Sequence, residues 1–584
     1  MDRDLTRVLF VDLSRHRFWV EERPGLFRKG LGGTGVAIEL LHELCPEGID
    51  PLAPENPIVL AVGPLSALFP LASKTVALFK SPHTGNLGES HCGGRSALAI
   101  RLAGYGAIVI TGKSELPVYL VIDGVGVRFR DARALWGLSS SFTVGRIVRE
   151  REGGSGVRSI LRIGRAGENL VSYAGVVTES YRHFGRLGLG AVFGAKRLKA
   201  VVISGRKRIP VEDKAGYSRL YRKLHEKAVR SELFRKYHDL GTPQNVRPLN
   251  AIGALPVKNL KQPRYPGDPP FSGETMAERY LGRRLACAGC PVACIHLAAL
   301  REPYPDEPFF YKTTFVSYDY EPIYSLGTML GGSDPEGFLR LMDTVEHLAL
   351  DAMSCGVVLA WATEAFERGL ITERETGGLV PNWGDYEVYR EMVRRIAERD
   401  GEFYDHLAQG VERAAARYGG EGFALAFGEN EMAGYHTGPG AYLTFLTGAR
   451  HSHLDSAGYA VDQADLREGR RRSPEELARA LFFEEARRQV LSSLVVCFFA
   501  RGLYDLETIS RCLGVLGQDW DPQSLEGIGK EILLRKHAFK AREGFELEQL
   551  RIPQRITETP TPLGPLSEGE LRAALQEFQR LLSG

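Results

Sequence analysis

The sequence predicts an α+β fold in which a β-rich N-terminal part is followed by two mainly α-helical parts. Residues 1–207 are rich in Val, Ile and Gly and contain short apolar runs, whereas apolar residues recur at helical spacing from residue 208 onward. A third segment, again mostly helical, begins near residue 420. We therefore expect domains at residues 1–207, 208–420 and 421–584.

Short strands are expected throughout the first part. RVLFVDL and RFWVEE flank the connector SRH and predict an opening hairpin. GAIVITG, PVYLVID and KAVVISG predict further strands. Helical spacing is limited here to IELLHEL, SALAIRLAG and TVGRIVRERE.

Helices dominate the other two parts. The second part has helical patterns in YSRLYRKLHEKAV, TMAERYLGRRL, EGFLRLMDTVEHLAL, GVVLAWATEAFERGL and YEVYREMVRRIAER. In the third, PEELARALFFEEARRQVLSSLVVCFF predicts a long helix, because Ser473 is a good cap and Pro474 suits the first helical position. A capping box at Ser567 predicts the last helix.

Composition and charge narrow the class of function. The 584 residues carry a formal net charge of +2, which gives no electrostatic reason to expect a nucleic acid or a membrane surface as partner. The longest uncharged apolar stretch, residues 57–72, is interrupted by prolines and predicts strand and loop. Charged residues from Asp2 onward leave no apolar signal-peptide core, so we expect a cytoplasmic protein.

Three of the eight cysteines lie together in CAGCPVAC, where Cys287, Cys290 and Cys294 have the spacing C-x2-C-x3-C. Clustered cysteines in a large cytoplasmic chain are more often metal ligands than disulfides. One alternative is a zinc site completed by His296. The other is a 4Fe–4S cluster whose fourth ligand is a distant cysteine. The spacing leaves three candidates for that ligand open: Cys355, Cys497 and Cys512.

The order of motifs resembles the aldehyde:ferredoxin oxidoreductase family, whose members carry tungsten on a bis-pyranopterin. The segments that carry the resemblance span nearly the whole chain. They are VLFVDLSRHRFWVEE, DPLAPENPIVLAVGPLS, KSPHTG, SHCGGRSALAIRLAGYGAIVITG, RIGRAGENLVSYAGVV, RHFGRLGLGAVFGAKRLKAVVISG, CAGCPVAC, YEPIYSLG, LALDAMSCG and SSLVVCFF. The resemblance implies that the β-rich domain has two sheets and binds the pyranopterins.

The resemblance also implies cofactor ligands. Cys497 lies where the family has its fourth cluster ligand, so we expect it to join Cys287, Cys290 and Cys294 around a 4Fe–4S cluster. The pyranopterin phosphates are expected at the glycine-rich segments, with a Mg²⁺ facing the carbonyls of His91 and His183. Arg186 can add charge-assisted bonds. The expected cofactor-binding residues are Lys74, His91, Gly93, Arg182, His183, Gly185, Leu187, Glu346, Leu350, Asp351, Gly448, Ala449, Arg450, His451, Ser452, Ser492 and Phe498.

Two features depart from the family pattern. The pterin motif D-x-x-G-L-D or D-x-x-G-L-C is EHLALD in its first copy and SSLVVC in its second, with Ala349 and Val495 in place of glycine. A serine accepts fewer hydrogen bonds than a carboxylate, so we expect a weaker or water-mediated pterin contact at Ser492. Arg340 and Asp343 replace an iron-binding E-x-x-H pair at which some members dimerise, so no such bridging metal is expected. A homodimer or an electron-transfer subunit is compatible with the resemblance.

Glu321 in YDYEPIYSLG and His453 in ARHSHLDS lie at the family's active-site positions. The resemblance implies oxidation of aldehydes to carboxylic acids at a tungsten or molybdenum centre, with electrons passing through the cluster to ferredoxin or another carrier. We expect His453 to donate a hydrogen bond to an oxygen. We expect Glu321, with its pKa raised by burial, to handle the released proton.

Two other functions are compatible with the sequence. The tungsten subunit of class II benzoyl-CoA reductase resembles the same family and acts reductively. The altered pterin motifs and the extra segment REPYPDEPFFYKTTFVSYD, before Glu321, allow for an unusual substrate pocket. From another class, a non-catalytic Fe–S electron-transfer subunit without pterin is the alternative. The glycines retained in both phosphate-binding segments argue against it.

Overall fold

The computed structural model describes residues 2–304 and 306–584. The predicted opening hairpin is confirmed and belongs to a six-stranded sheet. Its strands are β1 (Arg7–Asp12), β2 (Arg17–Glu22), β3 (Ile58–Ala61), β4 (Thr75–Lys80), β5 (Leu87–Cys92) and β6 (Ala107–Thr111). They run in the order β2-β1-β6-β3-β4-β5, and only β1 and β6 are parallel neighbours.

A second six-stranded sheet follows. Its strands are β7 (Val118–Ile122), β8 (Val127–Asp131), β9 (Val157–Arg162), β10 (Val176–Val177), β11 (His183–Phe184) and β12 (Leu198–Gly205). They run in the order β11-β10-β9-β12-β7-β8. Apolar side chains from both sheets, such as Leu9, Ile108, Leu161 and Val201, share one buried core.

Six helices accompany these sheets. The helices predicted from IELLHEL, SALAIRLAG and TVGRIVRERE are confirmed as the second, third and fourth of them. The six are α1 (Pro24–Gly30), α2 (Gly33–Leu44), α3 (Ser96–Ala103), α4 (Ser141–Arg151), α5 (Arg165–Glu168) and α6 (Leu189–Ala195).

The rest of the chain is mainly helical, as expected. Its elements are α7 (Lys214–Arg230), α8 (Glu232–Leu240), α9 (Val246–Ile252), α10 (Gly273–Arg279), β13 (Leu281–Leu285), β14 (Ile295–Tyr304), β15 (Glu307–Tyr318), α11 (Tyr320–Pro322), α12 (Pro335–Leu348), α13 (Ala352–Glu367), α14 (Glu373–Thr376), α15 (Tyr386–Glu398), α16 (Gly401–Leu407), α17 (Val411–Tyr418), β16 (Ala426–Phe427), β17 (Asn430–Glu431), α18 (Pro439–Thr447), α19 (Gly458–Glu468), α20 (Pro474–Ser493), α21 (Leu506–Gly514), α22 (Pro522–Arg542), α23 (Arg555–Glu558) and α24 (Glu568–Ser583).

A three-stranded sheet, β13-β14-β15, lies in a part of the chain for which the sequence predicted one helix and no strand. The helix predicted from TMAERYLGRRL is wrong beyond Arg279, because its second half pairs with β14 instead. Gly282 favours the strand: glycine inside a helix costs about 1 kcal/mol relative to alanine. A Cβ at this position would also lie 2.7 Å from the Ala299 side chain on the neighbouring strand.

Strands β14 and β15 form a long antiparallel ribbon that begins directly after Cys294 and ends just before Glu321. Its outer half exposes aromatic side chains, with Phe309 91% and Phe310 63% exposed. This ribbon corresponds to the extra segment that we expected near a substrate pocket. The exposed residues of the ribbon do not line the cavity described below.

Helix α20 begins as predicted and ends earlier than predicted. Ser473 caps it in a reciprocal capping box with Glu476. The helix stops at Ser493 because Val495 adopts a left-handed backbone with φ +55°. The segment that follows turns toward the β-rich part, which places Cys497 outside the helix.

Within the described residues, no helix combines the length and the apolar character that a membrane crossing requires.

Candidate active site

One cavity lies where the β-rich part meets the helical parts. It contains about 1540 Å³ free of protein atoms, part of which is open to solvent. Its walls come from segments that are far apart in the sequence. The lining residues lie within 71–74, 89–91, 182–187, 287–294, 319–322, 450–454 and 496–499, together with Thr242, Met353 and Asn430.

Cys287, Cys290, Cys294 and Cys497 all line this cavity. Leu71 connects their two segments: its carbonyl accepts a hydrogen bond from the Cys497 N–H at 2.9 Å, and its N–H donates to the Gly289 carbonyl at 3.3 Å. The other two candidates for the fourth ligand, Cys355 and Cys512, are buried within α13 and α21 and lie outside the cavity lining. In the described ranges, no three His, Cys, Asp or Glu side chains form a ligand set for a single metal ion.

The thiols have a buried cation beside them. Burial opposes the charge of Lys74, but the neighbouring sulfurs of Cys497 and Cys287 raise its pKa above the ordinary value. Gly93 leaves room for this contact, because a Cβ there would lie 2.7 Å from the Cys287 sulfur and 3.5 Å from the Lys74 nitrogen. The site therefore combines sulfur ligands with a fixed positive charge.

Arg182 connects the glycine-rich segment to the cysteine motif. Its guanidinium donates to the Asp319 carboxylate at 2.7 Å and to the Cys294 sulfur at 3.7 Å. Asp319 also accepts from the Thr242 hydroxyl at 3.1 Å. Burial opposes the charge of Arg182, yet Asp319 and the sulfurs raise its pKa well above the ordinary value. Asp319 thus holds a permanent cation against the thiols.

Glu321 and His453 both line the cavity and contact each other. His453 Nε2 lies 3.3 Å from Glu321 Oε1, and the Tyr435 hydroxyl donates to the same oxygen at 3.1 Å. The Tyr435 ring also stacks on the His453 ring at a centroid distance of 5.0 Å. A carboxylate, an imidazole and a phenol therefore form one connected group.

The expectation that burial raises the pKa of Glu321 is wrong. Burial does favour the protonated form, but the hydrogen bond and charge of His453 and the hydrogen bond from Tyr435 outweigh it. The pKa of Glu321 is lowered below its ordinary value, so the group is a carboxylate at neutral pH.

The acidic residues of the first pterin motif bond to the glycine-rich segment instead of lining the cavity. Glu346 lies 2.9 Å from His183 Nε2, and Asp351 accepts from Arg186 Nε at 2.9 Å. Leu350 lies between them and also does not line the cavity. These pairs hold the segment that follows β11 against the ends of α12 and α13.

The loop from Gly448 to Ser452 is organised by Asp455. The carboxylate of Asp455 accepts from the backbone N–H groups of Arg450 and Ser452 at 3.0 Å each, and from Arg450 Nε at 2.6 Å. Arg450, Ser452 and His453 line the cavity. His451 lies behind it, with Nε2 2.7 Å from the Lys540 ammonium.

His91 lies beside a buried ion pair. His91 Nε2 is 2.6 Å from Glu89 Oε1, and the other oxygen of Glu89 is 2.5 Å from the Lys536 nitrogen. Burial and the nearby charge of Arg450 lower the pKa of His91 to about 4 despite Glu89. Its imidazole is therefore neutral at physiological pH.

The polar groups of the cavity fit an anionic, multi-dentate cofactor. Arg182 Nε, Arg186 Nη1, Asn430 Oδ1 and His453 Nδ1 are buried without a hydrogen-bond partner among the described residues. Unpaired buried donors and acceptors are costly, so such groups usually have a ligand. Four thiols, two arginines with free donors and a buried lysine match a thiolate-held cluster and a phosphate-bearing group.

The structure places the predicted site residues in two groups. Those that line the cavity are Lys74, His91, Arg182, Gly185, Leu187, Arg450, Ser452, Phe498, Glu321, His453 and the four cysteines. Those that do not line it are Gly93, His183, Glu346, Leu350, Asp351, Gly448, Ala449, His451 and Ser492. Ser492 is buried against Gly33 at the end of α20.

Sequence reasoning missed several lining residues, among them Glu89, Thr242, Asp319 and Asn430. Asp319 and Glu89 lie two residues from recognised positions, Glu321 and His91. Glu89 and His91 share strand β5, where residues two apart point to the same face, and this spacing was the available signal for Glu89. Thr242 and Asn430 come from isolated segments with no motif.

A β-rich part and helical parts that enclose thiols, buried cations and a carboxylate–imidazole pair define a cofactor-dependent oxidoreductase. The chain belongs to the aldehyde ferredoxin oxidoreductase family, which confirms the resemblance drawn from its motifs. The family model for the N-terminal domain matches residues 8–205, and the model for domains 2 and 3 matches residues 218–583.

Curated relatives cover almost the whole chain. It is 32% identical to the tungsten-containing aldehyde ferredoxin oxidoreductase of Pyrococcus furiosus, over 96% of this chain and 92% of that protein. The corresponding enzyme of Thermococcus kodakarensis gives the same values. The chain is also 31% identical to the WOR-like subunit of an aliphatic sulfonate oxidoreductase of Pyrococcus furiosus, over 70% of this chain and 67% of that subunit.

A solved structure shares the fold. It is the active-site complex BamBC of benzoyl coenzyme A reductase with 1,5-dienoyl-CoA, with a TM-score of 0.84 and 22% sequence identity. The match covers 100% of this chain and 95% of the compared chain.

Proposed function

We propose that this enzyme oxidises aldehydes to carboxylic acids with a tungsten bis-pyranopterin and a 4Fe–4S cluster, and passes the electrons to ferredoxin or a similar carrier. The observation that carries the proposal is the convergence in one cavity of four thiols, free basic donors and the Glu321–His453 pair. The names of the curated relatives, which state both tungsten and aldehyde oxidation, support it.

The proposal gives each part of the cofactor a set of residues. Cys287, Cys290, Cys294 and Cys497 would hold the cluster, and the basic side chains of Lys74, Arg182 and Arg186 would bind the pyranopterin anions. The backbone carbonyls of His91 and His183 would be ligands for a Mg²⁺. When bound, the tungsten or molybdenum centre supplies the two-electron oxidation.

Glu321 is the base in this proposal. Oxidation of an aldehyde by water yields a carboxylic acid, two protons and two electrons, so a proton must leave the attacking water. Glu321 is ionised because Oε1 has two neighbouring donors, and its Oε2 has no side-chain donor among the described residues. Oε2 is therefore the atom that accepts the proton.

His453 and Glu321 act as a unit. With Nε2 directed at the carboxylate, His453 can donate from Nδ1 only as an imidazolium. Nδ1 is buried and unpaired in the described structure, so an aldehyde oxygen bound there completes its hydrogen bonding. Tyr435 keeps both side chains oriented.

Apolar side chains form part of the cavity wall and limit the number of polar groups that can hold water there. Leu187, Met353, Val496 and Phe499 contribute to the walls. A dry site strengthens the Glu321–His453 interaction and excludes unproductive proton transfer. Substrate entry is consistent with the opening of the cavity to solvent.

The test begins with anaerobically purified protein. We expect about four iron atoms per chain together with tungsten or molybdenum, and reduction of a viologen dye by an aldehyde panel. Iron without tungsten or molybdenum would favour the non-catalytic electron-transfer subunit. Turnover only in the reductive direction, with an aromatic thioester, would favour the benzoyl-CoA reductase-like reaction.

Glu321→Gln tests the proton role. Glutamine keeps the shape but cannot accept the proton, so we expect kcat/KM for the aldehyde to fall about 10²- to 10⁴-fold with cofactor content unchanged. Glu387→Gln, at an exposed carboxylate on α15, is the matched control and should have the wild-type rate. Wild-type oxidation by a fully loaded Glu321→Gln variant would exclude the role.

A further inference from the structure

A patch of basic side chains surrounds the place where the cysteine segments reach the surface. We call it the basic rim, and it consists of Arg235, Lys236, Arg284 and Arg501. Arg235 and Lys236 are exposed on α8, and Arg284 is exposed on β13, three residues before Cys287. Arg501 follows Cys497 and donates to the Phe498 carbonyl at 3.0 Å.

Specific contacts hold these segments together. Arg284 Nε donates to the His238 carbonyl at 3.0 Å, and His238 Nδ1 lies 3.0 Å from the Val292 carbonyl inside the cysteine motif. The Tyr237 ring stacks on the Phe499 ring at 4.3 Å, so α8 also contacts the segment after Cys497. The rim is therefore a fixed feature beside all four thiols.

The cysteine segments are open at this face. Gly289, between Cys287 and Cys290, is exposed, and a Cβ there would meet no atom within 4 Å. Gly502 is exposed and open in the same way. Leu233 on α8 adds an apolar surface that is 47% exposed. A partner protein at this face would lie directly over the thiol segments.

The charge of this face is unbalanced. Residues 227–240, 281–294 and 497–505 contain seven Lys or Arg against three Asp or Glu, although the whole chain carries only +2. None of the four rim cations has an ion-pair partner in the part of the chain that the structure describes; Arg284 and Arg501 bond to backbone carbonyls instead. Elsewhere arginines are commonly paired, as Arg165 is with Glu398.

We propose that the basic rim is the docking face for a small acidic electron-carrier protein. This inference rests on the proposed function and adds the place at which electrons leave. Charge complementarity decides the kind of partner. Three exposed cations and the half-buried Arg501, without ion-pair partners among the described residues, lie near a small apolar patch; such a face attracts an acidic surface and sets its orientation. Each carrier accepts one electron, so two carriers are reduced for each aldehyde oxidised.

The experiment uses the cofactor-loaded enzyme and a purified small acidic ferredoxin as the probe. The dissociation constant is measured by titration at low and at high ionic strength for the wild type and for Arg235→Glu/Lys236→Glu. We expect the double variant to bind ferredoxin about tenfold or more weakly at low salt and to lose most of the salt dependence. Aldehyde oxidation with a viologen dye should be unchanged, because a small dye needs no docking face.

Arg149→Glu/Arg151→Glu is the matched control. It makes the same charge change at exposed arginines on α4 and should bind ferredoxin as the wild type does. Wild-type ferredoxin binding by the rim variant, or equal weakening in both variants, would overturn the docking face. Absence of aldehyde–viologen activity in the wild type would instead overturn the proposed function, while the binding titration would still decide the docking face.

Discussion

The protonation state of Glu321 is decided by its hydrogen-bonding neighbours and not by its burial. Burial alone predicted a raised pKa, whereas His453 and Tyr435 together lower it. Glu321 and His453 could be identified from the sequence because each lies in a recognised motif. Tyr435 lies in no such motif. A donor that comes from a separate segment cannot be seen in a local pattern, and here that donor helps to reverse the direction of the shift.

A second residue-scale group lies behind Arg186. His83 Nε2 is 2.8 Å from the Glu431 carboxylate, and the Ser354 hydroxyl is 2.6 Å from both Glu431 and Asp351. Asp351 in turn binds Arg186. The buried chain from His83 to Asp351 therefore fixes the guanidinium that faces the cavity.

His83→Gln should destabilise the protein. Removing one partner of a buried pair leaves Glu431 uncompensated, which costs about 3–5 kcal/mol in free energy of unfolding. Burial opposes the charge of both groups, yet the opposite charge of each partner stabilises the ionised form of the other. The pKa of Glu431 is therefore lowered to about 2, and that of His83 is raised. The measurement is denaturant unfolding at several pH values.

The sign of each shift fixes the pH window of this effect. The contribution of His83 is complete below its ordinary pKa of 6.5 and is lost as pH rises through the raised value. That of Glu431 is complete above 4.5 and is lost as pH falls toward about 2. The deficit of His83→Gln should be largest between these limits. A deficit independent of pH, or the same deficit in the half-buried control His225→Gln, would contradict the charged pair.

At the scale of elements, the backbone of two turns gives a physical reason for the glycine in the family's pterin motif. Ala349 and Val495 occupy the glycine positions of the two copies, and both have a left-handed backbone, with φ +59° and +55°. That conformation costs a non-glycine residue roughly 1–2 kcal/mol. Because neither residue is glycine, this chain has backbone strain at Ala349, after α12, and at Val495, two residues before Cys497.

Ala349→Gly should stabilise the protein. Glycine removes the left-handed strain and sacrifices only one methyl group, so we expect a gain of about 0.5–1 kcal/mol, visible as a higher midpoint of unfolding. The same substitution at Val495 is a poorer test, because burial of the valine side chain contributes about 1.5–3 kcal/mol to stability and glycine would lose that contribution. Ala365→Gly, inside α13, is the control and should be destabilising. A loss of stability in Ala349→Gly would refute the strain argument.

Helices and strands could be predicted where the residues that determine them are close together in the sequence. Alternation and turn residues identified the strands of the N-terminal sheets, and the cap at Ser473 located the start of α20. The end of α20 was not predictable, because it depends on hydrogen bonds to distant residues: the Lys74 N–H donates to the Val495 carbonyl at 3.2 Å. Strand β13 was missed for the same reason, since its partner β14 comes later in the chain.

At the scale of the whole molecule, the candidate site is built from segments between residues 71 and 499. No local pattern can show that Cys497 joins the CAGCPVAC motif, and the spacing left three cysteines open. Only the order of motifs along the chain, compared with a family, narrowed the choice. The backbone contacts of Leu71 then supply the physical reason for the assembly.

The cofactor-loaded protein should be more stable than the cofactor-free protein as a whole. Lys74, Arg182 and Arg186 line the same cavity, and without an anion Arg182 Nε and Arg186 Nη1 are buried without a hydrogen-bond partner among the described residues, which is costly. Ligand binding to the folded state alone contributes about 4 kcal/mol at a thousandfold excess over Kd. We expect protein produced without tungsten and molybdenum to unfold about 3 °C lower in calorimetry. Equal midpoints would show that the cavity is not the cofactor site.

The position of residues 496–499 in the cavity wall has a consequence for biosynthesis. A ribosome makes the chain from its N-terminus, so most of the protein has emerged before the last wall of the chamber exists. A bulky metal–pterin group cannot be enclosed co-translationally by the first half alone. The complete wall of the chamber therefore exists only after residues 496–499 have been made and have folded against the earlier segments, so the finished chamber is a product of nearly the whole polypeptide.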